Sequence, residues 1–279
     1  MSDPVSVRRA LAQSGLVPID AQVLLAHVLG RNRAWLAAHG DDPIPRTEAE
    51  VFFALARRRR EGEPVAYLTG IREFWGLPLA VSSAVLIPRP ETEAVVEIAV
   101  ARLPADRDTR VLDLGTGSGA IALAIAHDRP RAQVLATDVS AAALAVARDN
   151  RQRLGLPNVE FLQSDWYADV PATWRAGRFD VIASNPPYIV AGDPHLADGD
   201  LRHEPAGALS PGGDGLASFR RIVAGARERL APGGTLVVEH GFDQAEAVRA
   251  LFDAAGFDEV LSKRDLAGIP RVVAGRAPE

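Results

Sequence analysis

The sequence predicts an α/β protein, a mostly parallel sheet with helices on both faces, preceded by a small helical domain. Three observations carry that reading. After Arg110, apolar runs of strand length alternate with segments of helical periodicity, the pattern of parallel strands joined by crossover helices. Roughly the first 70 residues show apolar positions at helical spacing instead. Of the 279 residues, 47% are hydrophobic, 24% charged and 6% aromatic, which are globular proportions and exclude disorder, collagen-like repeats and low complexity.

The elements follow in order. In the first part, residues 1–72, Asp20 is placed to cap a helix whose apolar positions Val23, Leu24, Ala26, Val28 and Leu29 run on to Gly30, a C-terminal stop. A second helix spans about Thr47 to Arg60, with Val51, Phe52, Leu55 and Ala56 on one face, and Glu61-Gly62-Glu63-Pro64 breaks it. Residues 73–90 read as a hairpin or linker, with extended pieces at Phe74–Leu79 and Ala80-Val81. The Pro-rich text Leu86–Glu93 leads into a helix from about Glu91 to Leu103, with Glu91 or Thr92 near its cap.

The third part, residues 91–279, carries the alternation. Strands are expected at Val111–Leu114, Gln133–Thr137, Val159–Leu162, Asp180–Ser184 and Thr235–Glu239, with shorter ones near Val260 and Val272. Helices fall at about Ala120–His127, Ala141–Leu154, Leu216–Leu230 and Gln244–Ala255. No internal repeat is visible.

Composition also bounds function. With no cysteine there is no disulfide, thiolate nucleophile or Cys-based metal site, and no metal is expected elsewhere. Lys263 is the only lysine, which removes most lysine general-base or Schiff-base chemistry. The net charge of −5 argues against a protein whose main affinity is for a phosphate backbone, so no stable nucleic-acid partner is expected. No stretch near 18 residues lacks charge, and the opening Met-Ser-Asp-Pro has no basic region followed by an apolar run. A cytoplasmic protein without a membrane partner is expected.

The first strand of the alternation runs straight into Asp113-Leu-Gly115-Thr116-Gly117-Ser118-Gly119-Ala120 and then a helix. Glycines allow positive φ and close approach of backbone to a ligand, and a strand–loop–helix unit sets its ligand at the carboxyl end of the sheet. The second strand ends at Asp138, nineteen residues after Gly119, where a carboxylate can accept hydrogen bonds from both ribose hydroxyls. Gly115-x-Gly117-x-x-Ala120 formally satisfies a dinucleotide fingerprint. Gly115-x-Gly117-x-Gly119 behind acidic Asp113 suits S-adenosyl-L-methionine, whose amino group Asp113 can help hold and whose lack of pyrophosphate avoids repulsion. After the third strand, Ser164-Asp165-Trp166 lies where an adenine would sit; Trp166 is either a wall of that pocket or a core tryptophan.

The fourth strand is followed at once by Asn185-Pro186-Pro187-Tyr188. Two prolines stiffen the backbone and remove two donors, leaving the carbonyls of Asn185 and Pro186 as fixed acceptors. With the Asn185 side-chain oxygen they form a site for a planar NH₂ group, and Tyr188 can stack on or pack against the group that carries it. Asn185, Pro186, Pro187 and Tyr188 are therefore the candidate catalytic and substrate-binding residues. Asp113, Gly115, Thr116, Gly117, Ser118, Gly119, Asp138, Trp166 and Asn185 are the candidate cofactor-binding ones.

At this point the chain resembles the release-factor glutamine methyltransferase family (the HemK/PrmC proteins) over nearly its whole length. The shared features are Arg57–Arg60 with Glu61–Pro64, Leu68-Thr-Gly70, Arg72–Trp75, Leu86–Glu93, Asp113–Ala120, Ser164–Trp166, Asn185–Tyr188, Asp193–Leu196, His203–Pro205 and Glu239–Gly241. The Asn185–Tyr188 motif alone is shared with adenine and guanine amino-methyltransferases; the combination is much more specific. The resemblance implies a Rossmann-like S-adenosylmethionine-dependent methyltransferase sheet behind a helical substrate-docking domain. It also implies methyl transfer to the side-chain amide nitrogen of the glutamine in the Gly-Gly-Gln motif of class 1 peptide chain release factors, as partner and substrate. Physically, acceptors that hold both amide hydrogens aim the nitrogen lone pair at the methyl group and stabilise positive charge developing on nitrogen. The methylated amide cation is acidic enough to lose its proton to water, so no general base is required, and His195, His203 and His240 read as loop or structural residues.

Three alternatives stay open at this stage. A base-amino methyltransferase would present a flipped base to Asn185–Tyr188. A dinucleotide oxidoreductase would need a hydride-handling residue, and none stands out. A catalytically inert binding module would not need the glycine loop, Asp138 and Asn185–Tyr188 together. Arg57–Arg60 read as a solvated helix end or as a contact for release factor or RNA. Arg89 and Glu91 read as ligand contacts or as a pair with each other.

Overall fold

The helical part of the chain is held by its own core. In this computed structural model, which describes residues 5–175, 178–197, 199–265 and 267–279, α1 (Val7–Gln13), α2 (Pro18–Leu29), α3 (Arg33–Ala38), α4 (Arg46–Arg60) and α5 (Val65–Thr69) come first. Val7, Leu24, Leu25, Leu36, Ile44, Phe52 and Leu68 are buried together. Asp20 does not cap α2. Val17 holds that position and Pro18 starts the first turn, because proline arrives with helical φ and has no N–H to satisfy. Gly30 ends α2 in the left-handed conformation (φ 61°), and Arg31 N donates to Ala26 O at 3.0 Å, a turn closure that favours glycine. In α4 the buried stripe is Ala49, Phe52 and Ala56; Val51, expected on that face, is exposed. One compact unit comprises Met1–Ile71 and Asp198–His203, and the other Arg72–Ala197 and Glu204–Glu279.

A two-stranded hairpin follows, β1 (Ile71–Phe74) and β2 (Leu77–Ala80), starting three residues before the extended text suggested. Its turn places Trp75 (φ 54°) and Gly76 (φ 72°) in positive φ, which matches the twist of a tight hairpin. Residues Pro90–Thr92 form a single 3₁₀ turn, and α6 (Glu93–Arg102) begins after it with Thr92 at the cap.

The sheet is built from β3 (Thr109–Leu114), β4 (Ala132–Asp138), β5 (Val159–Gln163), β6 (Phe179–Ser184), β7 (Leu230–Glu239), β8 (Asp258–Arg264) and β9 (Pro270–Arg276). The helices between are α7 (Ala120–Asp128), α8 (Ala141–Leu154), the single-turn α9 (Ala172–Arg175) and α10 (Ala206–Leu209), α11 (Ala217–Ala226) and α12 (Ala245–Ala254). Strand order is β5-β4-β3-β6-β7-β9-β8, parallel through β7 and antiparallel at β9 and β8. The helix expected to run to Leu230 stops at Ala226, because Leu230 pairs with Phe179 and opens β7.

Strand alternation divides the core. Val111, Val134, Val181 and Val237 face α6 and α7, while Leu112, Leu135, Ile182 and Leu236 face α11 and α12 with Phe219 and Phe252. All seven residues Ala120–Ala126 of α7 are buried. The order matters most between β3 and β6. They pair in parallel with Leu114 opposite Ser184, so the glycine loop and Asn185 leave adjacent strands side by side, at the point where strand order reverses. Among the described residues, no helix is long and apolar enough to cross a membrane.

Candidate active site

The glycine loop is shaped by contacts that few other side chains would permit. Gly115, Gly117 and Gly119 all have positive φ. At Gly119 a Cβ would stand 2.9 Å from Leu123 Cδ1 and 3.3 Å from Ala147 Cβ, so both backbone and packing demand glycine. Asp113 lies under the loop, fully buried. One carboxylate oxygen accepts from the Thr116 hydroxyl at 2.6 Å and from Ala122 N at 3.2 Å. The other, Oδ1, is buried with no partner, and burial pushes the carboxyl up to about 7.

Asp138 ends β4 at the cavity's edge. Its Oδ2 accepts from Gly117 N at 2.9 Å and its Oδ1 from Ser140 N at 2.8 Å, so the carboxylate is aimed before any ligand arrives. Asn150, buried in α8, donates to the carbonyls of Ser118 (2.9 Å) and Ala80 (3.0 Å) and accepts from Ala80 N at 2.6 Å. It ties the loop to the hairpin. Trp166 stands in positive φ (55°) with its ring 3.6 Å from where a Cβ on Gly115 would lie.

Gly115–Ser118, Asp138 and Trp166 border a cavity of about 260 Å³, which Asp113, Gly119 and Asn150 do not line. Gly115, Thr116, Gly117, Ser118, Asp138 and Trp166 line one part; Thr92, Asn185 and Pro187 line another. Asn185 Nδ2 donates to the Thr92 hydroxyl at 3.1 Å. Pro186 and Tyr188 are not among the lining residues. Tyr188 packs with the core on the α11 and α12 face, and its hydroxyl donates to Glu239 Oε1 at 3.3 Å. Its carbonyl accepts from Gln244 Nε2 at 3.0 Å. Asp113 likewise faces the loop's interior and not the cavity wall.

Comparison with known proteins decides the family. Residues 6–70 match the PrmC N-terminal domain and residues 93–257 the methyltransferase small domain. The chain is 55% identical to the release factor glutamine methyltransferase of Bordetella pertussis, covering 95% of this chain and 97% of that one. It is 47% identical to that of Escherichia coli, covering 92% and 91%. The chain belongs to the release factor glutamine methyltransferase family. A solved methyltransferase of Pyrococcus furiosus, 18% identical over 80% of this chain and 98% of that one with a TM-score of 0.54, shares the fold.

Membership makes this an S-adenosylmethionine-dependent methyltransferase and sets aside the dinucleotide and inert-module readings. The cavity suits that cofactor. Asp138 keeps carboxylate lone pairs for a ribose diol at the cavity's edge. Apolar side chains of Leu86, Ile121, Val139 and Trp166 complete the wall around a nucleoside.

Several family motifs resolve into contacts that spacing does not reveal. Arg89 pairs with Glu204 and not with Glu91, and buried Glu204 also accepts from Ile87 N at 3.1 Å. The Leu86–Glu93 and His203–Pro205 motifs are thus one polar knot. Three arginines of Arg57–Arg60 are engaged within the helical unit. Arg58 binds Glu63, Arg59 binds Asp20 and Asp200 at 2.7 Å each, and Arg60 donates to Ser14 O. His240 is buried, its Nδ1 beside Gly241 O at 2.7 Å, and burial holds the ring below the usual imidazole range. His203 meets Arg202 at 3.1 Å. The His195 side chain and Leu266 lie outside the described residues.

Sequence reasoning gave Glu239 no role. In the structure it is a fully buried carboxyl at the end of β7, pushed up to about 7 by burial, with the Tyr188 hydroxyl bond and the nearby Thr92 hydroxyl opposing that rise. The signal available beforehand was an acid at the end of an otherwise apolar strand, Thr235–Glu239, at the sheet's ligand edge.

Proposed function

We propose that the enzyme methylates the side-chain amide nitrogen of the glutamine in the Gly-Gly-Gln motif of class 1 peptide chain release factors, in the cytoplasm. One observation carries the reading: Asn185, followed by two prolines, stands at the cavity wall on the strand next to the glycine loop, with its amide nitrogen already committed to Thr92. Its carbonyl oxygen is thereby left to accept from a substrate NH₂. S-adenosylmethionine, when bound, supplies an electrophilic methyl group on a sulfonium.

The chain's own residues do the rest. Asp138 and the Gly115–Gly119 backbone hold the nucleoside, with Trp166 against the base. Asn185 Oδ1 and the carbonyls of Asn185 and Pro186 take the hydrogens of the substrate amide, so its lone pair is turned away from them and toward the methyl donor. The same acceptors stabilise charge as it develops on nitrogen, and the proton released from the methylated amide leaves to water. Tyr188 serves by holding the motif through Glu239 and Gln244. The helical unit, which carries no chemistry of its own, docks the protein substrate.

The test is methyl transfer from labelled S-adenosylmethionine to two acceptors side by side, unmodified release factor and undermethylated nucleic acid. Label is expected on the release factor and lost when its Gly-Gly-Gln glutamine is replaced by alanine. Label on nucleic acid alone would overturn the substrate.

A further inference from the structure

Thr92 occupies a helix cap and does not cap. A threonine there ordinarily accepts from a backbone N–H one turn on, yet α6 has no such bond. The Thr92 hydroxyl instead accepts from Asn185 Nδ2 at 3.1 Å. It also stands against the Glu239 carboxylate, close enough to lower that group's affinity for protons. Glu239 Oε1 is taken by the Tyr188 hydroxyl, while Oε2 is buried with no partner of ordinary hydrogen-bond geometry. The residue is 2% exposed, out of reach of bulk solvent.

Once pH rises above about 7 and Glu239 is ionised, donor bookkeeping leaves one arrangement. An ionised carboxylate offers lone pairs only, so the Tyr188 hydroxyl gives it a hydrogen and the Thr92 hydroxyl beside it turns its own hydrogen toward that charge. Having spent its only hydrogen, the Thr92 oxygen can only accept, and the group it accepts from is the NH₂ end of Asn185. The carboxamide of Asn185 is therefore fixed with Oδ1 toward the cavity. Were it turned over, two acceptors would face each other at Thr92 and a donor would face the substrate's NH₂. An amide that turns freely would spend part of its time in that inactive orientation.

We propose that Thr92 and Glu239 are positioning residues that set which end of the Asn185 amide faces the substrate, and so restrict the acceptor to groups presenting an NH₂. The proposal rests on the reading of Asn185 as the substrate's acceptor. Neither residue touches the reacting atoms in this scheme; each acts through Asn185. The consequence is a defect in turnover rather than in cofactor binding.

The experiment uses the full-length enzyme with unmodified release factor, measuring kcat, the affinity for S-adenosylmethionine by calorimetry, and the melting temperature. Thr92→Val keeps shape and removes the hydroxyl that accepts from Asn185 and faces Glu239. It is expected to lower kcat roughly 10- to 100-fold, the scale of a misplaced catalytic group, with cofactor affinity within about twofold of the parent. Thr92→Ser keeps the hydroxyl and recovers most of that loss. Glu239→Gln, whose amide can give as well as accept, lowers kcat by about tenfold. In the Asn185→Ala background, Thr92→Val adds nothing further, since there is no amide left to orient. Wild-type turnover in Thr92→Val beside an inactive Asn185→Ala would overturn this proposal and leave the acceptor reading intact. Wild-type turnover in Asn185→Ala would overturn the reading itself. Equal losses in kcat and cofactor affinity, or additive losses in the double variant, would reduce Thr92 to a structural residue and reject the proposal.

Discussion

Asn150 and Ser118 meet at 2.9 Å, side-chain amide to backbone carbonyl, across the gap between α8 and the glycine loop. Because Asn150 also brackets Ala80 with one donated and one accepted bond, a single fully buried side chain fixes both the hairpin's end and the loop that faces the nucleoside. Three backbone groups, Ser118 O, Ala80 O and Ala80 N, bond to it.

Replacing Asn150 by leucine strands those groups. The expected cost is about 1–3 kcal/mol of stability for the buried groups left unsatisfied, together with weaker S-adenosylmethionine binding because the loop loses its tether. Denaturant unfolding and calorimetric titration measure the two effects. Unchanged cofactor affinity would show that the loop holds its shape without Asn150.

Asp138 offers a sharper test of the nucleoside assignment. Its carboxylate is pre-aimed by Gly117 N and Ser140 N, so Asp138→Ala removes both a ligand for the ribose and a support of the loop. Cofactor affinity should fall at least about tenfold, or roughly 1.4 kcal/mol, while the free protein stays folded by circular dichroism. Binding within twofold of the parent would move the ribose elsewhere.

The buried acids make a signed prediction about pH. Burial raises Asp113 and Glu239 to about 7, above the range near 4 expected of exposed carboxyls. Each binds its proton more tightly folded than unfolded. The stability each contributes is complete below about pH 4 and is lost as pH rises through about 7. His240 acts in the opposite sense, since its lowered value means stability is gained as pH rises through the ordinary imidazole range. The clean readout is therefore a difference between variants. Glu239→Gln should make the melting temperature less dependent on pH between 5.5 and 8, raising it relative to the parent at pH 8 by several degrees. An identical pH slope in parent and variant would contradict the assignment.

Within the helical unit, Arg59 bridges Asp20 of α2 and Asp200 at 2.7 Å each while itself only 23% exposed. Arg59→Met leaves two carboxylates without their cation and should cost about 1–3 kcal/mol. A loss that disappears when both aspartates are also changed to asparagine would confirm that the pairing, and not the arginine's packing, carries the effect.

Much of this was legible in the chain itself. The helix Ala141–Leu154 coincides with α8, because Ser140 caps it and Gly155 ends it, and both signals are local. The strands from Val111 to Ser184 were each placed within two residues, since buried parallel strands are largely apolar runs bounded by polar text, and the next one had its end at Glu239 but not its start. Local reasoning failed where a choice depended on a distant partner. Asp20 has the chemistry of a cap, but Pro18 fixed the start of α2 and Arg59, thirty-nine residues on, claimed the carboxylate. Leu230 continued a helical pattern until Phe179 drew it into the sheet.

The same division runs through the site. Sequence by itself determined the elements, the glycines whose φ only they tolerate, the acid at the end of β4 and the acceptor motif after β6. All of these are properties of one residue and its chain neighbours. Only the tertiary structure decided that Leu114 lies opposite Ser184, so that the loop and Asn185 share a cavity. It also decided that Asn185 bonds to Thr92 and Tyr188 to Glu239, with the Thr92 hydroxyl beside that buried carboxyl. Strand order and the direction of a buried hydroxyl's single hydrogen depend on what packs around them, and no local stretch of sequence records that.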